Sequence, residues 1–249
     1  MKVELPLILV NGKDSFLVKN FEGILHTHKG IIKLEELKEK SYGDVIKTHK
    51  GHTFKILPFK SSDFFRHFKR CATPIMPKDI GVIITICGLK PDSLILDAGT
   101  GSGMIAAYLA YFNKYGEVIT VEKRKEFAKL ARENFKLAKL KNIHQIVGDV
   151  NDIAEGFKKE FDLIVLDMKD DFLFIPKAKN LLKVGCYLAV YNPYIEPSKR
   201  VYETMKKEGF SELECFELLK NNYEFKRVGT RPMTRVWHTG FIVIGRKIY

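Results

Sequence analysis

The chain has 249 residues, of which 45% are hydrophobic, and it carries a formal net charge of +12. It contains no run of about 18 or more apolar residues, so no membrane span is expected, and its first residues lack the apolar core and cleavage site of a signal peptide. We therefore expect a cytoplasmic protein with either one large domain or a main domain plus a small one.

The excess of 42 Lys and Arg over 30 Asp and Glu favours a polyanionic partner, with nucleic acid first. The alternative is a solvated, lysine-rich surface, since abundant Lys, Glu and Ile with one glutamine, Gln145, is typical of thermophiles. The cysteines form no C-x-x-C pair and the histidines no H-x-x-x-H pair, so we expect free thiols and no metal site. The four cysteines are Cys71, Cys87, Cys186 and Cys215.

The first sixty residues contain short β-like runs separated by turn signals such as Asn11-Gly12 and Lys50-Gly51. They predict a small β-rich domain over residues 1–60, followed by a connector over 61–78. The predicted strands are Leu5–Val10, Ser15–Val18, Gly23–His28, Gly30–Leu34, Asp44–Thr48 and His52–Leu57.

Residues 79–249 alternate apolar strands with amphipathic helices after a first helix over Asp79–Cys87. This pattern predicts an α/β, Rossmann-like domain with a mostly parallel sheet and helices on both faces. The predicted strands are Leu94–Asp97, Glu117–Glu122, Ile143–Val147, Phe161–Asp167, Cys186–Tyr191 and Thr239–Gly245; the predicted helices are Met104–Phe112, Lys125–Lys139, Phe172–Leu182 and Pro197–Glu208.

A glycine-rich turn joins the first of these strands to the next helix. Asp97-Ala98-Gly99-Thr100-Gly101-Ser102-Gly103 matches neither the dinucleotide fingerprint G-x-G-x-x-G nor the P-loop. Its glycines admit a ligand close to the backbone, while the carboxylate of Asp97 would repel a pyrophosphate and suit a cationic amino-acid ligand. S-adenosylmethionine is such a ligand.

Four successive strands end in or just before a carboxylate, namely Asp97, Glu122, Asp149 and Asp167. Ligands of open α/β sheets bind at this edge. Each acid alone is more commonly a helix N-cap or a solvated loop residue, but four in this order favour an S-adenosylmethionine site. We expect Glu122 to accept the ribose hydroxyls, Asp149 the adenine amine, and Ile105 and Phe127 to flank the adenine.

Asp167 ends the fourth strand, next to the methyl group of the cofactor in this architecture. A carboxylate there can orient an adenine amino group and take up its proton as ring N1 gains a methyl group. The alternative is that Asp167 only caps the following helix. Asn192-Pro193-Tyr194 lacks one proline of the loop found in amino-methylating enzymes, and we expect it to line the substrate side.

The sequence resembles the archaeal and bacterial TrmI-type tRNA (adenine-N1)-methyltransferases over nearly its whole length. The similarity lies in the glycine turn, Leu166-Asp167, and three more specific stretches. These are residues 42–49 (YGDVIKTH), 77–81 (PKDIG) and 231–241 (RPMTRVWHTGF). The resemblance implies a class I S-adenosylmethionine-dependent methyltransferase fold, a homotetramer, and methylation of N1 of adenosine 58, with adenosine 57 as a neighbouring target, in the T-loop of tRNA.

The resemblance also implies roles for individual residues. Asp167 is expected to be catalytic. Independently of the resemblance, we expect Tyr194, Arg231, Arg235 and His238 on the RNA side. The expected cofactor site comprises Asp97, Gly99, Gly101, Ser102, Gly103, Met104, Ile105, Glu122, Phe127, Asp149 and Asp167. Further basic candidates for the RNA backbone are Lys60, Arg66, Lys69, Arg70, Lys226 and Arg227, with ordinary surface solvation as their alternative.

The chain departs from the family where Met168-Lys169-Asp170-Asp171 replaces a proline-rich stretch after the catalytic Asp, and where Ala72-Thr73 replaces Thr-Gln. Two other functions are therefore kept open. One is methylation of another RNA base or of a small molecule; the other is a non-catalytic RNA-binding paralogue.

Overall fold

The computed structural model describes residues 2–71, 73–233 and 238–249. The chain divides into two compact units. The first runs to His67 and includes Lys136–Lys139; the second holds Phe68–Phe135 and Leu140–Tyr249. The predicted connector over 61–78 thus spans a helix of the first unit and the first residues of the second.

The first unit is β-rich, as predicted. Its main sheet is antiparallel with the order β2-β1-β6-β5, and β3 and β4 form a separate hairpin. Alternate residues of β6, including Phe54 and Ile56, are buried in a core with Leu7 and Leu9, as expected for a strand with one face inward. The elements are β1 (Leu7–Asn11), β2 (Asp14–Val18), β3 (Ile24–Thr27), β4 (Gly30–Lys33), β5 (Val45–Lys47), β6 (Thr53–Pro58) and α1 (Ser61–His67).

The second unit contains the predicted mostly parallel sheet. Its elements are α2 (Pro77–Ile86), β7 (Leu94–Ala98), α3 (Met104–Phe112), β8 (Glu117–Glu122), α4 (Lys125–Leu137), β9 (Ile143–Val147), α5 (Val150–Ile153), β10 (Phe161–Leu166), α6 (Ile175–Leu181), β11 (Leu182–Asn192), α7 (Ile195–Lys207), β12 (Ser211–Phe216), β13 (Tyr223–Lys226), β14 (Gly229–Pro232) and β15 (Phe241–Arg246).

The strand order of this sheet is β12-β15-β11-β10-β7-β8-β9. The five strands from β11 to β9 are parallel, and β15 and β12 are added antiparallel at one side. Because parallel strands point the same way, the carboxyl ends of β10, β7, β8 and β9 lie along one edge. The core includes Leu96, Ile164, Phe174 and Leu188. It stabilises this arrangement of strands because both faces of the sheet are buried.

Some elements differ from prediction for identifiable reasons. The helix expected from Phe172 begins at Ile175, after a 3₁₀ turn over Asp171–Leu173, and β11 begins at Leu182 instead of Cys186. Strand β12 was missed because its residues Ser-Glu-Leu-Glu-Cys-Phe mix charged and apolar side chains at the sheet margin. The β13–β14 hairpin was missed because nearly all of its side chains are exposed, so no hydrophobic pattern marks it.

Within the described ranges, no helix combines the length and apolarity needed to cross a membrane. The same residues contain no cluster of three or more His, Cys, Asp or Glu side chains that could hold a metal ion. None of the four cysteines forms a disulfide bond within the part of the chain that the structure describes.

Candidate active site

A cavity of about 710 Å³ opens at the carboxyl ends of the parallel strands. It lies within the second unit, between the glycine turn after β7, the ends of β8 and β10, and the segment after β11. Eight of the eleven residues expected to bind a cofactor line it: Gly99, Gly101, Ser102, Met104, Ile105, Glu122, Asp149 and Asp167.

The glycine turn needs its glycines for two different contacts. Gly99 has φ +95°, and a Cβ atom there would collide with the backbone carbonyl oxygen of Asp167. Gly103 has φ +77°, and its Cβ would lie 2.5 Å from the ring of Phe135 on α4. Gly99 therefore allows the ends of β7 and β10 to approach each other. Gly103 does not line the cavity, and it allows the turn to pack against α4.

Asn134 contributes to the site although no sequence pattern singles it out. Its side chain is buried on α4, and its Nδ2 donates to the backbone oxygens of Ser102 and Lys69, each at 2.9 Å. It therefore fixes the end of the glycine turn. An isolated asparagine inside a helix offers no spacing pattern by which such a role can be recognised.

The Glu122 side chain is 3% exposed, and its carboxylate accepts three hydrogen bonds within the protein. Its Oε2 accepts from the backbone N–H of Gly101 at 2.9 Å, and its Oε1 accepts from the backbone N and Nε of Arg124, each at 3.0 Å. The Arg124 guanidinium also lies 3.6 Å from the ring centroid of Phe127. Phe127 does not line the cavity, and Arg124 covers a face of its ring.

Asp149 both lines the cavity and caps a helix. Its Oδ1 accepts from the backbone N of Asn151 at 2.9 Å and from Asn151 Nδ2 at 3.1 Å, at the start of α5. The hydrogen bond from the Asn151 backbone holds the pKa of Asp149 below its usual value, so this carboxylate is ionised at neutral pH.

Asp97 lies beneath the cavity instead of lining it. It is fully buried, and its Oδ2 accepts from Thr120 Oγ1 at 2.6 Å. Its Oδ1 has no hydrogen-bond partner among the described residues. Burial raises the pKa of Asp97 to about 7, because a charged carboxylate is costly away from water.

Asp167 is half-buried, and its carboxylate has no side-chain hydrogen bond or ion pair within the described part of the chain. Desolvation raises its pKa to about 7, and the neighbouring charges of Asp97, Asp171 and Glu122 act in the same direction. Among the described residues, Asp167 is thus a carboxyl group without a side-chain partner at the cavity wall, with its pKa raised to about 7.

The segment Asn192-Pro193-Tyr194 lines the cavity beside Asp167, as expected from the sequence. Asp171 supports it: this carboxyl is 1% exposed and accepts from Asn192 Nδ2 at 2.9 Å. Burial raises the pKa of Asp171 to about 6. The sequence showed Asp171 only as a departure from the family, and gave no sign of its partner.

The expected RNA-side residues are not all in one place. Tyr194 lines the cavity and is 68% exposed. His238 lies next to the same segment, with Nδ1 2.8 Å from Glu217 Oε2 and Nε2 2.8 Å from the Pro193 carbonyl oxygen. Arg231 lies on the exposed β13–β14 hairpin, 3.6 Å from Glu224. Arg235 lies outside the described residues.

Two of the three specific sequence stretches, residues 77–81 and 231–241, meet in a buried network. Asp79 is fully buried at the start of α2, and Lys78 Nζ donates to its Oδ1 at 2.6 Å. Lys78 Nζ also donates to Thr239 Oγ1 and to the Leu218 carbonyl oxygen, each at 2.8 Å. The Pro-Lys-Asp helix start therefore anchors the His-Thr-Gly stretch that precedes β15.

Comparison with known proteins agrees with this geometry. The family model described as "tRNA methyltransferase complex GCD14 subunit" matches residues 70–238. A relative from Methanocaldococcus jannaschii, named tRNA (adenine(57)-N(1)/adenine(58)-N(1))-methyltransferase TrmI, is 34% identical over 267 residues, which cover 96% of this chain and 93% of the relative.

Two crystal structures are similar over almost the entire chain. The tRNA (m1A58) methyltransferase TrmI from Aquifex aeolicus has a TM-score of 0.83 at 26% identity and covers 100% of this chain and 99% of its own. A structure described as an S-adenosylmethionine-dependent O-methyltransferase from Thermotoga maritima has a TM-score of 0.87 at 32% identity, with coverage of 98% and 93%. These similarities extend over both compact units.

Proposed function

The chain belongs to the tRNA methyltransferase family described by the GCD14 subunit model, and we propose that it methylates N1 of adenosine 58, and of the neighbouring adenosine 57, in the T-loop of tRNA. It is an S-adenosylmethionine-dependent enzyme. The observation that supports this function most strongly is the unpartnered Asp167 carboxyl at the wall of a cavity that also contains the glycine turn and Glu122.

The cavity has the features that a sulfonium nucleoside requires. Gly101 leaves room for close approach to the backbone, since the atom nearest to an added Cβ there would be 3.8 Å away. Asp97, which precedes the turn, has an acceptor, Oδ1, without a partner in the described structure. We assign the ribose hydroxyls to Glu122 and the adenine amine to Asp149, with Met104 and Ile105 as apolar neighbours. When bound, the cofactor supplies an electrophilic methyl group.

The proposed chemistry places Asp167 at the 6-amino group of the target adenine. As N1 of the base bonds to the methyl carbon and the carbon–sulfur bond breaks, positive charge develops on the adenine ring. The Asp167 carboxylate stabilises this charge and accepts the proton from the 6-amino group. A pKa of about 7 suits this task, because general bases work best near the pH of the reaction.

The remaining wall of the cavity is proposed to receive the base. The target adenosine must leave its stacked position, at a cost of a few kcal/mol, and Tyr194 is exposed at the rim where it can contact the base. Arg231, Arg235 and His238 are proposed on the RNA side, and the net charge of +12 supports binding of the phosphate backbone. A tRNA affinity that falls steeply with added salt would support this arrangement.

Two further proposals concern the oligomeric state of the protein and its location in the cell. We propose a homotetramer, by resemblance to the family, which light scattering of the purified protein would test. We also propose a cytoplasmic location, because unmodified tRNA is the substrate.

A direct assay tests the proposed function. Unmodified tRNA transcript is incubated with the purified protein and labelled S-adenosylmethionine, and the nucleosides are identified by mass spectrometry. We expect 1-methyladenosine at positions 58 and 57, loss of the position-58 product in a transcript with guanosine there, and product formation about 10²–10⁴-fold slower with Asp167→Asn. Label in another nucleoside would instead favour a different RNA base. Calorimetry with S-adenosylmethionine separates both results from a non-catalytic paralogue, which would give neither binding nor product.

The Thermotoga structure is described as an O-methyltransferase, and we propose O-methylation of a small molecule as the second candidate. The same cofactor site would serve it, but a small substrate has no need of the broad positive charge of this chain. Cofactor turnover that does not depend on tRNA would favour that candidate over the first.

A further inference from the structure

We infer that Asn192, with its amide held by Asp171, accepts a hydrogen bond from the 6-amino group of the target base and so selects adenine over purines that lack this group. The inference rests on the proposed function and adds a specificity-determining residue to it. Asn192 is the last residue of β11 and lines the cavity.

The orientation of the Asn192 amide follows from its partner. Asp171 is buried, and its Oδ2 is 2.9 Å from Asn192 Nδ2. An ionised carboxylate can only accept hydrogen bonds, so the NH₂ group of Asn192 must face Asp171 and its Oδ1 must point the other way. The residue therefore presents a fixed acceptor instead of an amide free to rotate.

This acceptor is free to take a ligand. No group of the described residues donates to Asn192 Oδ1, and Oδ1 is not among their enclosed unpartnered atoms. Since Asn192 lines the cavity, Oδ1 is open to a molecule within it. A buried amide oxygen at a cavity wall gains most from a donor that excludes water.

The acceptor lines the same cavity as the catalytic carboxyl. Strands β10 and β11 are parallel neighbours with Leu166 opposite Val190, so Asp167 lies one residue past this pair and Asn192 two residues past it, at the same edge of the sheet. The 6-amino group of adenine has two N–H bonds. One can be donated to Asp167 and the other to Asn192 Oδ1, with N1 left free for methylation.

The same pair of acceptors disfavours other bases. Guanine and hypoxanthine carry an oxygen at position 6, which would face the oxygens of Asp167 and Asn192 without a shared proton. Sites built to bind a donor reject analogues that lack it, because their buried acceptors are left unpaired.

The alternative is that Asp171 and Asn192 only tie the end of β11 to the 3₁₀ turn over Asp171–Leu173. A purely structural tie would alter stability, and would slow all substrates equally. It would not change the preference between two bases that differ only by the amino group.

The test compares two substrates in each variant. tRNA is assembled with either adenosine or purine riboside, which lacks the 6-amino group, at position 58, and kcat/KM is measured for both. The intrinsic difference in N1 reactivity is the same for every variant, so it cancels when the substrate ratios are compared. We expect the preference for adenosine to fall about tenfold in Asn192→Ala, equivalent to about one hydrogen bond.

Asp171 supplies the second pair of variants. Asp171→Ala leaves the amide of Asn192 free to rotate, and we expect it to lose preference as Asn192→Ala does. Asp171→Asn keeps an acceptor for Asn192 Nδ2, and we expect most of the preference to return. Tyr187→Phe is the matched control, because Tyr187 is on the same strand as Asn192 but outside the cavity, and the substitution removes its side-chain hydrogen bond to Glu212 on β12. This variant should keep the full preference.

Failure of the proposed function can be distinguished from failure of the role inferred for Asn192. If the wild-type protein forms no 1-methyladenosine, the proposed function fails. If wild type methylates adenosine but Asn192→Ala and Asp171→Ala keep the wild-type substrate ratio with normal cofactor affinity, Asn192 does not contact the amino group. Should Asn192→Ala not fold, the ratio in Asp171→Ala decides the question in the same way.

Discussion

The backbone of Asp167 occupies the space that a side chain at Gly99 would need. The Asp167 N–H donates to the Ala98 carbonyl oxygen at 2.9 Å, which continues the pairing of β7 with β10 past their last residues. An added Cβ at Gly99 would lie 2.7 Å from the Asp167 carbonyl carbon and even closer to its oxygen. The turn expected to bind the cofactor and the residue expected to catalyse the reaction are thus fixed against each other.

This contact predicts that Gly99→Ala is much more damaging than Gly101→Ala. At Gly99 the substitution combines φ +95° with a backbone collision, and we expect a loss of at least about 3 kcal/mol in the free energy of unfolding. At Gly101 the nearest atom is 3.8 Å from the added Cβ, so only the strain of φ +54° remains, about 1 kcal/mol. Urea unfolding of the cofactor-free protein measures both values, and equal losses would contradict the account.

A second prediction concerns the ionisation of Asp167. Because the base must be ionised and its pKa is about 7, kcat should rise with pH through about 7 and then level off. Asp167→Asn should lower kcat by about 10²–10⁴-fold, since the amide cannot accept the proton. Single-turnover rates between pH 5.5 and 9 at saturating cofactor and tRNA provide the measurement.

Calorimetry supplies the control for Asp167→Asn. The cofactor affinity of the variant should remain within a few-fold of wild type, because Glu122 and Asp149 are untouched. A variant that loses cofactor binding to the same extent as methyl transfer would assign Asp167 to the cofactor and remove it from proton transfer.

A third prediction follows from the donors on Glu122. A carboxylate has about four acceptor positions, and three are used by Gly101 N, Arg124 N and Arg124 Nε. Two ribose hydroxyls need two positions, so the Arg124 side chain must release one of them. The Arg124 side chain is half-exposed, so we expect its contact with Glu122 to contribute about 0.2–1 kcal/mol. Arg124→Ala should therefore tighten cofactor binding by roughly two- to fivefold.

A double-mutant cycle tests the role of Arg124. Glu122→Gln alone should weaken cofactor binding, and Arg124→Ala should have no further effect in that background. Weaker binding in Arg124→Ala alone would mean that the guanidinium contacts the cofactor, and would overturn the competition between Arg124 and the ribose.

The sequence predicted those parts of the site that depend on local spacing. The strand-end acids Glu122, Asp149 and Asp167 could be located together because parallel strands end at one edge. Asp97 follows the same spacing, yet it lies under the turn, since its side chain points to Thr120 on the neighbouring strand. That orientation depends on how β7 is twisted and packed, which strand-end position alone does not determine.

Contacts between distant segments could not be predicted for the same reason. Asp171 and Asn192 meet only through the register of β10 against β11, and Asn134 reaches Ser102 only through the packing of α4. The β13–β14 hairpin has exposed side chains and so leaves no hydrophobic period in the sequence.

A fourth prediction uses the buried carboxyl of Asp97. Its pKa is about 7 in the folded protein, compared with about 3.9 for an unfolded chain. Between these values the folded state holds a proton that the unfolded state has lost, so the contribution of Asp97 to stability falls as pH rises from about 4 to 7 and is constant above.

Asp97→Asn removes this pH dependence, because an amide has the shape of the protonated acid and does not ionise. The variant should therefore be more stable than wild type at pH 8, by up to about 4 kcal/mol since each pKa unit corresponds to about 1.4 kcal/mol, and nearly equal to it at pH 4. The acids Asp167 and Asp171 are present in both proteins, so their own contributions largely cancel in the difference. Thermal unfolding of the two cofactor-free proteins at several pH values measures this difference in stability. If the stability difference between Asp97→Asn and wild type stayed constant from pH 4 to 8, Asp97 would be ionised in the folded protein throughout this range. Its Oδ1 would then have a hydrogen-bond partner strong enough to offset the cost of burial.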